Sequence, residues 1–148
     1  MFKRVLVLIA VLAVVCLSGS GASFADEIKY MQVDEFKDVL DNKEPVIIAD
    51  IQAAKKFVQH YFFGSVETNA YPVRSDEEKK KLNKIINAYD ESGKIIIIVG
   101  PRGTTGAKRA YKYLQEHDVP QDKIYILEGG VRGWPHKKMF INVAGGCA

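Results

Sequence analysis

The stretch Ile95-Ile96-Ile97-Ile98-Val99-Gly100-Pro101-Arg102-Gly103-Thr104-Thr105-Gly106-Ala107-Lys108-Arg109-Ala110 decides the fold of this 148-residue chain. Five β-branched aliphatics in a row leave no polar face, which suits a strand covered on both sides within a parallel sheet. The run stops at a glycine-rich loop. Beyond the loop, Ala107, Ala110, Tyr111 and Leu114 fall on one side of a helix. Strand, loop and helix in this order aim the loop's N–H groups at one spot in front of a helix N-terminus, which makes an anion cradle. Arg102 and the hydroxyls of Thr104 and Thr105 are further candidate donors.

Two other chemistries are excluded by the same residues. A nucleotide-binding P-loop needs Lys-Ser or Lys-Thr after its last glycine, and Gly106 is followed by Ala107-Lys108. A cysteine-phosphatase loop needs a cysteine and a closing arginine, and this loop has neither.

Outward from the loop, strands and helices alternate. Val33, Phe36, Val39 and Leu40 have helical spacing, and Val46-Ile47-Ile48-Ala49-Asp50 is a buried strand ending in a carboxylate. Residues 53–60 are expected as a short helix, and an extended segment begins at Gly64-Ser65-Val66. Ser75 with Glu78 is a capping box, predicting one helix that carries Leu82, Ile85, Ile86 and Tyr89 and stops at Ser92-Gly93. Ile124-Tyr125-Ile126-Leu127 is a further strand before Gly129-Gly130. The expected class is α/β, a central parallel sheet with helices on both faces. Ligands of such sheets sit beyond the carboxyl ends of the strands. Asp50, the Gly100 loop and the Glu128-Gly129-Gly130 turn therefore belong on one rim.

The first residues have the order of an export signal: basic Lys3 and Arg4, an apolar run to Leu17, then small residues ending Ser23-Phe24-Ala25. The expected division is a signal peptide over 1–25, a domain over 26–138 and a tail over 139–148, in a periplasmic or secreted protein with no membrane attachment after cleavage. The alternatives are an uncleaved anchor and a lipoprotein attached at Cys16, although Val15 is larger than a lipid-attachment site prefers. Cleavage would leave 123 residues, and loss of Lys3 and Arg4 would take the formal charge from +3 to +1. Near-neutrality gives no case for nucleic acid. The run Lys79-Lys80-Lys81 after Asp76-Glu77-Glu78 is a solvated helix face. Without Cys16, Cys147 stands alone and has no intramolecular disulfide partner. One cysteine and scattered histidines make no metal site, and no cofactor is expected.

Four pieces in order make residues 30–135 resemble a rhodanese-type domain. Val46-Ile47-Ile48-Ala49-Asp50-Ile51-Gln52 resembles that family's first strand and its Asp-x-Arg ending, with Gln52 where arginine is usual. His60, Gly64-Ser65-Val66, Asn69 and Pro72 resemble its Gly-His-Ile-x-Gly-Ala-x-Asn-x-Pro stretch with extra residues. Residues 95–106 resemble its strand and active-site loop. Leu127-Glu128-Gly129-Gly130-Val131-Arg132-Gly133-Trp134 resembles its closing Gly-Gly-x-x-x-Trp signature. Tyr71-Pro72-Val73 and Gly106-Ala107-Lys108-Arg109 fit a subtype with Cys-Pro-Arg-Gly loops.

The resemblance implies sulfur transfer, in which a loop cysteine accepts a sulfane sulfur from a donor such as thiosulfate and forms a persulfide. Loop amides and the helix N-terminus stabilise the charged sulfur. Gly100 stands at that position and has no sulfur. The expected role is therefore non-catalytic binding of an oxyanion, a sulfur species or a protein partner in an extracytoplasmic sulfur or redox setting. The alternative is a sulfurtransferase whose persulfide sits on Cys147. Its thirteen residues beyond Trp134 could span up to about 40 Å, and its thiol could equally pair with a partner protein. His60 and Asp50 are expected as structural rim residues and Trp134 as a packing anchor. A glycine at 100 also raises the expectation of a backbone angle that cysteine avoids.

Overall fold

In the computed structural model, which describes residues 27–142, the isoleucine run becomes β5 (Ile96–Val99), and all four of its residues are buried. β5 lies in the middle of a five-stranded parallel sheet. Its neighbours are β6 (Ile124–Leu127) and β2 (Ile47–Asp50), with β1 (Tyr30–Met31) and β4 (Val66–Glu67) at the edges. Alternation along β5 splits the core in two. Ile96 and Ile98 join Ala49, Leu82, Ile85, Ala110 and Leu114 on one face. Ile97 and Val99 join Phe36, Phe62, Leu127 and Trp134 on the other. The first layer is closed by α4 (Asn83–Ser92) and α5 (Thr105–Gln115), the second by α1 (Val33–Asp41) and α6 (Gly130–Gly133). The expected sheet with helices around it is the fold. The expected signal peptide and Cys147 lie outside the described residues.

The helix predicted after Ser75 is two helices. The capping box is present: the Ser75 hydroxyl accepts from the Glu78 N–H at 3.2 Å, and the Glu78 carboxylate accepts from the Ser75 N–H at 3.2 Å. It opens only α3 (Asp76–Lys80), which buries nothing. The N–H groups of Lys81 and Leu82 then reach back three residues, to the carbonyls of Glu78 and Lys79. This tighter turn drops Leu82 and Ile85 into the core as α4 begins. The helix expected over 53–60 shrinks to one turn, α2 (Ala54–Phe57), because the chain bends at His60 into β3 (Tyr61–Phe62).

Phe140–Ile141 forms β7, antiparallel to β3, with Phe140 opposite Phe62 and Ile141 opposite Tyr61. Phe140 packs on Phe62, whose ring meets Trp134 and Phe36 edge to face. This aromatic contact holds the chain in the domain through Ile141. The Trp134 indole donates to the His136 carbonyl at 3.0 Å, so a fully buried tryptophan has its one donor satisfied.

The capping box gives a first test. Ser75→Ala should lower stability by about 1 kcal/mol in urea denaturation, and Ser75→Asp should retain it. An unchanged midpoint for Ser75→Ala would show that α3 docks without its cap.

Candidate functional site

All strands of the main sheet run parallel, so the chain leaves β2, β5 and β6 on one rim. There the loop after β5 lies directly on the turn after β6. The Val131 N–H donates to the Gly100 carbonyl at 3.0 Å and the Arg132 N–H to the Pro101 carbonyl at 3.1 Å. The contact leaves no room for side chains. A Cβ on Gly130 would lie 2.2 Å from the Gly100 oxygen, and one on Gly103 would lie 2.4 Å from the Leu127 oxygen. Both glycines have left-handed backbone, φ +57° and +64°. Close approach and conformation together require glycine at these two positions.

The loop's N–H groups are spent differently from its carbonyls. From Arg102 to Ala107 they find no acceptor among the described residues; the first helical bond at this end runs from the Lys108 N–H to the Thr104 carbonyl. Thr104 is the N-cap of α5, but its side chain makes no capping bond. The result is an uncapped helix start preceded by a row of free donors, which favours an anion.

Gly100 departs from expectation. It is buried, but its φ is outside the left-handed region, and a Cβ would sit 3.4 Å from Ile51 Cδ1 and 3.7 Å from Ala107 Cβ, in ordinary contact. The backbone at 100 does not demand glycine.

Beside the loop opens a cleft of about 390 Å³. Gln52 and His60 form one wall, Pro101 and Arg102 another, and Tyr71 and Arg132 contribute further sides. Lys56 also lines it, so three cations face a cleft whose lining has no carboxylate. The sequence reading missed Lys56 and Arg132. Lys56 follows a strand-end motif read for Asp50 and Gln52 alone. Arg132 sits inside a signature read for its glycines and tryptophan. Tyr71 is held in place from α5. Its ring rests on Gly106, where a Cβ would come within 2.9 Å of Tyr71 Cε2, and Arg109 donates to the Pro72 carbonyl at 3.2 Å.

The other expected site residues are placed as follows. Thr104 and Thr105 are exposed and do not line the cleft; Thr105 borders a separate depression with Ile28, Lys108 and Arg109. The His60 ring is exposed and meets Phe140 edge to face at 5.4 Å, while its carbonyl accepts from Gln52 Nε2 at 2.9 Å. Asp50 lies fully buried beneath the cleft. Its carboxylate accepts from the Gln52 N–H at 2.9 Å and from Gln52 Nε2 at 3.1 Å. Gln52 thus joins the end of β2 to the His60 turn with a neutral amide, and it brings no cation to Asp50. Burial pushes the Asp50 carboxyl up from 3.8 to about 6, against the two Gln52 bonds that favour its charge.

Two predictions follow from this geometry. Gly130→Ala should cost at least about 2 kcal/mol through the collision with the Gly100 carbonyl, whereas Gly64→Ala, at φ +81° with nothing within 4 Å, should cost only about 1 kcal/mol. Equal losses in urea denaturation would contradict the locked contact. The second concerns pH. The folded state holds the Asp50 proton more tightly than the unfolded chain, so this contribution to stability is full below the unfolded value of 3.8 and is lost as pH rises through about 6. The stability of wild type relative to Asp50→Asn should therefore fall by up to about 3 kcal/mol across that window. A difference that stays flat with pH would mean Asp50 is not held uncompensated.

Comparison with known proteins places this arrangement. The family model described as the rhodanese-like domain matches residues 32–137. Among solved structures, a rhodanese-like domain protein from Staphylococcus aureus is similar with 20% identity and a TM-score of 0.57, covering 78% of this chain and 98% of that one. An As-Sb reductase from Leishmania major shares 17% identity at a TM-score of 0.55, covering 74% and 78%. A yeast protein tyrosine phosphatase of the rhodanese family shares 13% at 0.56, covering 72% and 83%. No curated protein matches by sequence. At these identities the structures speak for the fold, and the family model covers more than half of the sequence: the chain belongs to the rhodanese-like domain family.

Proposed function

We propose that this chain is an exported rhodanese-like domain that binds a small oxyanion or sulfur species at the loop over 100–106 without covalent chemistry of the loop itself. The observation that carries this reading is the row of unpaired N–H groups from Arg102 to Ala107, beside a cleft lined by Lys56, Arg102 and Arg132 with no carboxylate. Donors and cations are fixed in advance, so an oxyanion is bound with little reorganisation. Gly100 supplies no nucleophile, and the bound sulfur species therefore stays intact.

Amide shifts on titration with sulfate or thiosulfate should cluster at 102–107. Arg102→Ala or Lys56→Ala should weaken binding several-fold, since each removes a cation from the cleft. Absence of shifts up to tens of millimolar, an affinity worth no more than roughly 2–3 kcal/mol, would overturn the reading.

The enzyme reading keeps one specific support. β7 runs antiparallel to β3, with Phe140 opposite Phe62 and Ile141 opposite Tyr61. Tyr61, the partner of Ile141, directly follows His60, which lines the cleft. Cys147 is the fifth residue after Asn142, a reach of up to about 17 Å. In that reading the Cys147 thiolate attacks the outer sulfur of thiosulfate, releasing sulfite and forming a persulfide, and cyanide then removes the sulfur as thiocyanate. Thiosulfate:cyanide turnover separates the two. Wild type and Cys147→Ser should be equally inert, and Gly100→Cys, which the backbone accommodates, should gain turnover. Wild-type turnover that vanishes in Cys147→Ser would replace the binding reading with the enzyme reading. A folded Gly100→Cys that takes up no sulfur would show that the loop no longer stabilises a charged sulfur.

A further inference from the structure

The cleft beside the loop offers more than a bare oxyanion uses. Ala53, Tyr71, Pro101 and Val131 line it together with its cations. A volume of about 390 Å³ lies in the range of sites for organic ligands, which combine apolar walls with a few placed polar groups. An inorganic ion on the donors and cations would leave the apolar wall in water.

Tyr71 is the most firmly held part of that wall. Its N–H donates to the Ile51 carbonyl at 2.8 Å, and Arg109 holds the following residue through the Pro72 carbonyl. The ring rests on Gly106, where a Cβ would come within 2.9 Å of Cε2 and 3.0 Å of Cδ2. Gly106 belongs to the row of free donors, so the ring is anchored beside them. Even so, Tyr71 stays 42% exposed. Its ring has no aromatic partner, and its hydroxyl no hydrogen bond, among the described residues.

We propose that the ligand of this cleft is an arylsulfonate, with its charged head on the loop N–H groups and its aromatic ring against Tyr71; this rests on the oxyanion reading above. Donors, cations and ring surface stand side by side, so one molecule with a charged end and an apolar end uses all three. The lining holds Lys56, Arg102 and Arg132 and no carboxylate, which suits a head that stays anionic. An aromatic body is favoured over an aliphatic one because paired rings gain affinity beyond the area they bury. Tyr71 is held before the ligand arrives, so little side-chain freedom is lost on binding. Tyr71 is then a specificity-determining residue: the loop recognises the head, and the ring recognises what carries it.

Amide-shift titrations of the chain, as recovered from its producing cells, with benzenesulfonate and methanesulfonate test this, since the two share one head and one charge. Both should shift the amides over 102–107, and benzenesulfonate should bind about fivefold more tightly. Its ring protons should show nuclear Overhauser contacts to the Tyr71 ring. Tyr71→Phe should keep the preference, and Tyr71→Ala should bring the two affinities together. Equal affinities in wild type, with both ligands shifting 102–107, overturn the aryl ligand and leave the oxyanion reading standing. Shifts absent there with both sulfonates and with thiosulfate overturn both. A preference that persists in Tyr71→Ala overturns the proposal by placing the ligand's ring elsewhere. The Overhauser contacts are read on wild type, so their absence overturns it even if Tyr71→Ala fails to fold.

Discussion

The rim of this domain depends on one contact, backbone against backbone, between the loop after β5 and the turn after β6. Two N–H groups at the start of α6 are consumed by the Gly100 and Pro101 carbonyls. Because a trans peptide sets the next N–H opposite its carbonyl, anchoring the Pro101 oxygen on Arg132 also fixes the direction of the Arg102 N–H. Carbonyls tied to α6 and donors left without acceptors are thus two sides of one arrangement. The absent side chains at Gly103 and Gly130 make it possible, since a methyl group at either would stand within 2.4 Å of a carbonyl oxygen. The geometry of the cleft wall, the start of α5 and the exposure of Arg102 all follow from that approach.

Charge is distributed around this contact in an uneven way. The cleft lining has three cations, while the nearest buried carboxylate, Asp50, receives two hydrogen bonds from a neutral glutamine and no ion pair. Two bonds do not offset the loss of water around a fully buried carboxylate, which is why its proton is held to about pH 6. An arginine at 52, as the resemblance leads one to expect, would neutralise Asp50 at its own site. With Gln52 the charge of Asp50 is uncompensated, and the cations of the cleft remain the local source of positive potential. Gln52 bridges the end of β2 to the His60 carbonyl.

What could be learned from sequence followed the length of the signal. The isoleucine run, the amphipathic spacing of α1 and α5 and the capping box at Ser75 each involve several residues obeying one period or one local bond, and these elements are present. β1, β3 and β7 have two residues each, too few for any period to register. They exist because tertiary partners hold them: β6 for β1, and the Phe62–Phe140 pairing for β3 and β7. The break between α3 and α4 was hidden for a similar reason, since local propensity runs on through Lys81 and only burial of Leu82 turns the chain. At the site, the loop could be read because its glycines and its helix are consecutive. Lys56 and Arg132 come from separate segments, and only the fold brings them to one cleft.

Gly103 and Gly130 are glycines that the backbone requires; Gly100 is not. Its φ is ordinary, and a Cβ would meet Ile51 and Ala107 at normal contact distance. A Cβ at 100 would therefore fit without disturbing either the lock with α6 or the start of α5. In the function proposed above, this separates two properties that a sulfurtransferase loop combines. The donors are the peptide groups from Arg102 to Ala107 and do not depend on the side chain at 100, while the capacity for a covalent bond belongs to that one side chain and disappears with it. In that proposal, a single substitution at 100 is what separates binding from transfer. The geometry that would stabilise a persulfide is the same geometry that holds an intact anion, because both present negative charge to the same N–H groups.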